Sequence, residues 1–188
     1  DHPVVTAWQV ENEPFLGGFG DCENLNVVLL DQEIALVRSL SNKPVVVTDS
    51  GELGRWYRAY SRADIFGTTM YRVIWNENIP GGYFEYPLGP DFFKRKAGLM
   101  HMFFGEKPII GIELQAEPWT HKRPWDTPLS EQFKAFDVAQ FRLNIEYAQA
   151  VGFETNYLWG VEWWYWMKEK QYHPEFWEYA KTIFNEEK

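Results

Sequence analysis

The chain has 188 residues, enough for one domain with a real core, and its 45% apolar and 24% charged residues are ordinary for a globular protein. A formal net charge of −9 repels phosphate-rich partners, which argues against nucleic acid and anionic membranes as ligands. Cys22 is the only cysteine, so an intrachain disulfide and a cysteine-based zinc site are both excluded, and no apolar run is long enough to span a membrane. The first residue is Asp and the chain opens directly into an apolar segment, as expected for a piece of a longer protein, so no compartment follows. Ten Trp, ten Tyr and fourteen Phe are the unusual feature. Most must fill the core, but several Trp fall in polar, proline-containing stretches, where exposed rings line ligand pockets.

In chain order, Val4–Val10 reads as a buried strand. Leu25–Leu40 carries a helical stripe of Val28, Leu29, Ile34, Leu36, Val37 and Leu40. Pro44–Thr48 ("PVVVT") is a continuously apolar strand of the kind buried in a parallel sheet. Trp56–Ala63 is a weak short helix and Ile65–Tyr71 the next strand. A Gly/Pro/Tyr loop spans Asn76–Pro90, followed by a helix at Asp91–Phe104 with Asp91 as N-cap. Pro108–Leu114 is a strand and Glu117–Pro128 a loop. Ser130–Val151 is a single long amphipathic helix capped by Ser130, Thr155–Trp159 a strand, and Glu175–Glu186 the last helix. Five strands alternating with helices predict an α/β domain over 1–188 with a parallel sheet and crossover helices.

The apolar strands finish in polar groups: Glu11, Asn12 and Glu13; Asp49, Ser50 and Glu52; Tyr71 and Arg72; Glu113 and Gln115; Trp159 and Glu162. In a parallel sheet these ends converge on one face, where barrels and open sheets place their sites. A single polar residue at a strand end is unremarkable, but carboxylates gathered in one cleft repel one another unless they do chemistry or bind a cation. His2, His101 and His173 are too scattered for a metal site, and a solvated loop position is expected for His121. The "GGFG" at Gly17–Gly20 precedes Asp21 and Glu23, which would repel a phosphate, so it reads as a loop shaping the cleft.

"WQVENEP" at Trp8–Pro14, followed by "KPIIGIELQAEPW" at Lys107–Trp119, resembles the retaining (β/α)8-barrel glycoside hydrolases of clan A, which include cellulase-like, β-galactosidase and β-mannanase enzymes. The resemblance implies a partial TIM barrel, strands four to eight, with the first three βα units missing. It implies Glu13 as acid/base and Glu113 as nucleophile of a double displacement that cleaves β-glycosidic bonds of an oligo- or polysaccharide. It further implies Asn12 on the sugar 2-hydroxyl, Tyr71 bonded to Glu113, and Trp159 as the floor of the first subsite. Regular strand alternation places Asn12 opposite Glu13, so bringing both into one site needs a bulge or twist, with Glu11 as a supporting charge.

Glu117 is the rival of Glu113, roughly 13 Å further along if the chain stays extended; otherwise it would hydrogen-bond sugar in a neighbouring subsite. Asp49 and Glu52 either touch substrate or cap the next helix. Of Trp119, Trp125, Trp163, Trp164 and Trp166, two are expected to stack on sugar rings (Trp119 and Trp163 the leading pair) and the rest to pack. No cofactor or metal is expected. An open five-stranded sheet calls for a missing N-terminal half-barrel or a second chain, and the isolated segment should hydrolyse sugars poorly. A non-catalytic carbohydrate-binding or scaffold protein on a degenerate glycosidase fold is the alternative, and a different acid–base enzyme on a barrel ranks third.

Overall fold

Five strands, β1 (Trp8–Gln9), β2 (Val45–Asp49), β3 (Ile65–Met70), β6 (Ile109–Gln115) and β7 (Asn156–Trp159), form one parallel sheet whose spatial order follows the chain. The computed structural model describes residues 2–17 and 26–185. Gly18–Gly20, Asp21, Cys22 and Glu23 of the expected cleft loop lie outside the described residues, as do Leu25 and Glu186 at two expected helix ends.

Because each crossover adds the next strand on the same side, right-handed connections carry α1 (Val27–Leu40), α2 (Tyr57–Tyr60), α3 (Pro90–Phe104) and α5 (Val138–Val151) to one face of a curled, half-barrel sheet. That face is the main core. Val45, Val47, Phe66, Met70, Ile109 and Leu114 of the strands pack against Leu30 and Ile34 of α1, Ala59 and Tyr60 of α2 and Phe93 and Ala97 of α3. A second cluster, centred on Phe136, Phe141, Trp163, Trp164 and Phe176, joins α4 (Leu129–Ala135), α5, α6 (Val161–Lys170) and α7 (Glu175–Asn185). Half of the rings counted in the sequence are spent in or against these two clusters.

Several elements differ from expectation. The first strand is reduced to Trp8–Gln9, because it lies at the sheet edge and its one neighbour starts pairing only at Val45; Val4 is left 75% exposed. The stripe on α1 is only partly used: Leu30 and Ile34 are buried, whereas Leu29, Leu36 and Leu40 share an outward face. The Gly/Pro/Tyr loop carries half of an antiparallel hairpin: β5 (Tyr83–Glu85) lies inside it and pairs with β4 (Val73–Trp75) just ahead of it, with Gly81 and Gly82 at positive φ before β5. Asp91 is not the N-cap of α3: Gly89 holds that place, Pro90 starts the helix, and Asp91 sits in its first turn. The long helix is broken in two at Phe136, which is extended and fully buried, and Asp137 restarts it by accepting from the Gln140 N–H at 2.7 Å; Ser130 is not the cap of α4 but lies in its first turn, behind Pro128 at the N-cap position. The Trp-rich stretch after β7 is helix α6.

Candidate active site

At the carboxyl ends of the strands lies a cavity of about 150 Å³. Glu13 follows β1, Glu52 follows β2, Thr69 is near the end of β3 and Tyr71 just beyond it, Glu113 is on β6, and Trp119 follows it; Ile74 and Tyr86 of the hairpin region supply an apolar wall.

Two local devices aim the carboxyl groups. Beyond β1 the chain turns through left-handed backbone at Glu11 (φ 62°) and Glu13 (φ 46°), conformations that non-glycine residues seldom adopt. The Glu13 N–H is anchored on the Thr48 hydroxyl at 2.8 Å. On β6 the register against β3 shifts, so that Thr68 pairs with Gly111 and Thr69 with Glu113. The extra residue, Ile112, forms a bulge that puts Glu113 on the face of Thr69 while Leu114 still packs with Ile109 in the core.

The hydrogen bonds then differentiate the two acids. The Thr69 hydroxyl accepts the Gly51 N–H at 3.1 Å, which directs its own proton to Glu13 Oε1 at 3.1 Å. The Tyr71 hydroxyl donates to Glu113 Oε2 at 3.0 Å, and its ring meets the edge of Trp119 with centroids 5.2 Å apart. Burial, reinforced by the charge of Glu113, pushes Glu13 up to about 7 against the pull of Thr69. Burial raises Glu113 as well, but the Tyr71 hydrogen bond works against it. Burial and the adjoining carboxylates raise Tyr71, keeping it a donor. Glu52 accepts the Tyr71 N–H at 2.8 Å, and burial pushes it up to about 7.

Other residues singled out in the sequence are placed as follows. Asn12 is exposed, accepts from Gln9 Nε2 at 3.3 Å and does not line the cavity: the turn at Glu11 and Glu13 sends the two neighbours to different sides. Glu117 lies outside the lining and accepts from the Trp159 indole at 3.1 Å; burial pushes it up to about 7. Trp159 is half exposed beside it. Trp163 is no stacking surface, being 3% exposed in the second core cluster with its indole donating to Gln132 at 2.7 Å, and Trp164 is buried likewise. Trp125 is exposed under Arg123. Asp49 is buried and holds the N–H groups of Ser50 and Trp56, a structural part. His121 is not a free loop residue: it contacts Glu131 at 3.2 Å and the Trp75 ring.

Sequence reasoning passed over Thr69, and it noted Gln115 as a strand-end residue without giving it a role. Thr69 lay hidden inside "IFGTTM", and its only signal was a hydroxyl one residue from a strand end. Among the described residues no group of His, Cys, Asp and Glu could hold a metal ion. No family model, curated protein or solved structure matches the chain.

Proposed function

We propose that the chain carries the acid and nucleophile of a retaining β-glycoside hydrolase on a partial (β/α)8 barrel. The observation that carries this reading is the pair of carboxyl groups in one cavity, Glu113 held by the Tyr71 hydroxyl and Glu13 raised to about 7 beside it. A raised acid and a hydrogen-bonded carboxylate are the division of labour that double displacement needs. Glu113 attacks the anomeric carbon as the bond to the leaving oxygen breaks, and Glu13 gives that oxygen its proton. Water then attacks the glycosyl ester, returning its proton to Glu13 and freeing Glu113. Tyr71 occupies Oε2 of Glu113, and among the described residues Oε1 accepts no hydrogen bond, which suits it to attack.

The finer fold assignment rests on what the sheet leaves open. Both edges, β1 and β7, have one neighbour each, and the inner face forms a trough of about 1060 Å³ lined by Val46, Ile65, Ile110, Ile112 and Tyr157. The outward face of α1, Leu29, Leu36 and Leu40, flanks one edge. Further βα units, from a longer chain or a second copy, would cover all three and shape the sugar subsites.

Incubation of the chain, together with the βα units that complete the barrel, with a panel of 2-deoxy-2-fluoro glycosides, followed by intact mass and peptide mapping, tests the reading. A glycosyl adduct on Glu113 is expected. An adduct on Glu117 keeps the reaction and moves the nucleophile; sugar binding without any adduct replaces the enzyme with a carbohydrate-binding protein.

A further inference from the structure

Tyr71 stands between β3 and the hairpin: on one side of this turn the Arg72 carbonyl accepts the Tyr86 N–H at 2.9 Å, and on the other side, toward β6, the backbone has no strand neighbour. The N–H groups of Arg72 and Val73 and the carbonyl of Val73 need partners there. One side chain supplies them all. Gln115 Oε1 accepts from Arg72 N at 2.8 Å and Val73 N at 2.9 Å, while its Nε2 donates to Val73 O at 2.6 Å and Glu117 O at 3.3 Å. Both acceptor sites and both donor hydrogens are used, and a reversed amide would set N–H against N–H. Gln115 is 0% exposed, so water cannot take its place. Its own carbonyl is held by Asn144 Nδ2 of α5 at 2.9 Å, and Asn144, also fully buried, is held by Gln140 at 2.8 Å.

We propose that Gln115 is a positioning residue that sets the Tyr71 hydroxyl on Glu113. Gln115 and Glu113 are two apart on β6 and share a face. The strand that bears the carboxylate therefore also fixes, through one carboxamide, the turn that bears its hydrogen-bond donor. The same amide takes hold of the Glu117 carbonyl, so the loop leading to Trp119 is registered against the same point. The importance of this for catalysis rests on the reading of Glu113 as nucleophile; the positioning itself does not.

The test needs no turnover. Protein labelled with ¹³C at the Glu side-chain carboxyls is titrated by NMR as wild type, Tyr71→Phe, Gln115→Ala and the double variant, with Glu113→Gln assigning the signal. Tyr71→Phe removes the donor that favours ionised Glu113, so its midpoint should rise by on the order of one pH unit. Gln115→Ala should raise it in the same direction, and the double variant should rise no further than Tyr71→Phe alone. A wild-type midpoint in Gln115→Ala, with only a lowered melting temperature, overturns the proposal. Should Gln115→Ala fail to fold, Gln115→Asn, which keeps an amide too short to reach the turn, decides in its place by the same midpoint. Absence of a fluoroglycoside adduct would sink the hydrolase reading and leave this titration standing.

Discussion

Glu13 is held at φ 46° by a threonine under its N–H and another over its carboxyl. Left-handed backbone at a non-glycine residue costs of order 1–3 kcal/mol and persists only where surroundings enforce it; here it turns a strand-end carboxyl into the cavity. With Glu13 as the proton donor, activity should fall above about pH 7 as it ionises. Replacing Glu13 by Gln should abolish that alkaline limb. It should also slow hydrolysis of unactivated glycosides by about 10²–10⁴-fold, with far less loss for an aryl leaving group that needs no proton; kcat/KM against pH for the two substrate types checks both. With Glu113 as the nucleophile, the acid limb would be its own, and Tyr71→Phe should move it upward.

At the scale of elements, the break between α4 and α5 depends on one cap. Asp137→Ala leaves the Gln140 N–H unpaired and should cost about 1 kcal/mol in denaturant unfolding. Trp163→Ala empties a ring site in the second cluster and should cost about 3–5 kcal/mol, with the melting temperature reporting it and the fluoroglycoside reaction surviving in whatever fraction stays folded. The sequence made parallel strands legible where a short β-branched run stands between turn residues, as at Val45–Asp49 and Ile109–Gln115, and the polar residues at strand ends singled out Glu13, Tyr71 and Glu113, which line one cavity. It hid the hairpin, because three-residue strands such as Val73–Trp75 are too short to show alternation among glycines and prolines. The helix break was invisible because Phe136 is apolar in either conformation and only packing tells them apart. Trp163 was misplaced for a related reason: a tryptophan beside polar residues looks the same on a loop as on the inner side of a helix. The separation of Asn12 from Glu13 required a backbone conformation that no side-chain pattern announces.

Across the whole molecule, Glu13, Glu52 and Glu117 share a property that should be visible in unfolding. Each is about 7 when folded against an ordinary value of 4.5, so between these values the folded state holds more protons than the unfolded one. Stability should be greatest below about pH 4.5 as far as these groups are concerned and decline as pH rises through about 7; Glu52→Gln should flatten that decline in melting temperature measured from pH 5 to 8. The strand order has a consequence of a different kind. Since the sheet is laid down in the order of the chain, every strand pairs with one already behind it in sequence, apart from the excursion through the hairpin. On the ribosome, which releases the N-terminal end first, each new βα unit meets a finished edge rather than waiting for a distant partner. Growth can then proceed by accretion, and the arrival of β7 with α6 and α7 after the units before them closes the second aromatic cluster.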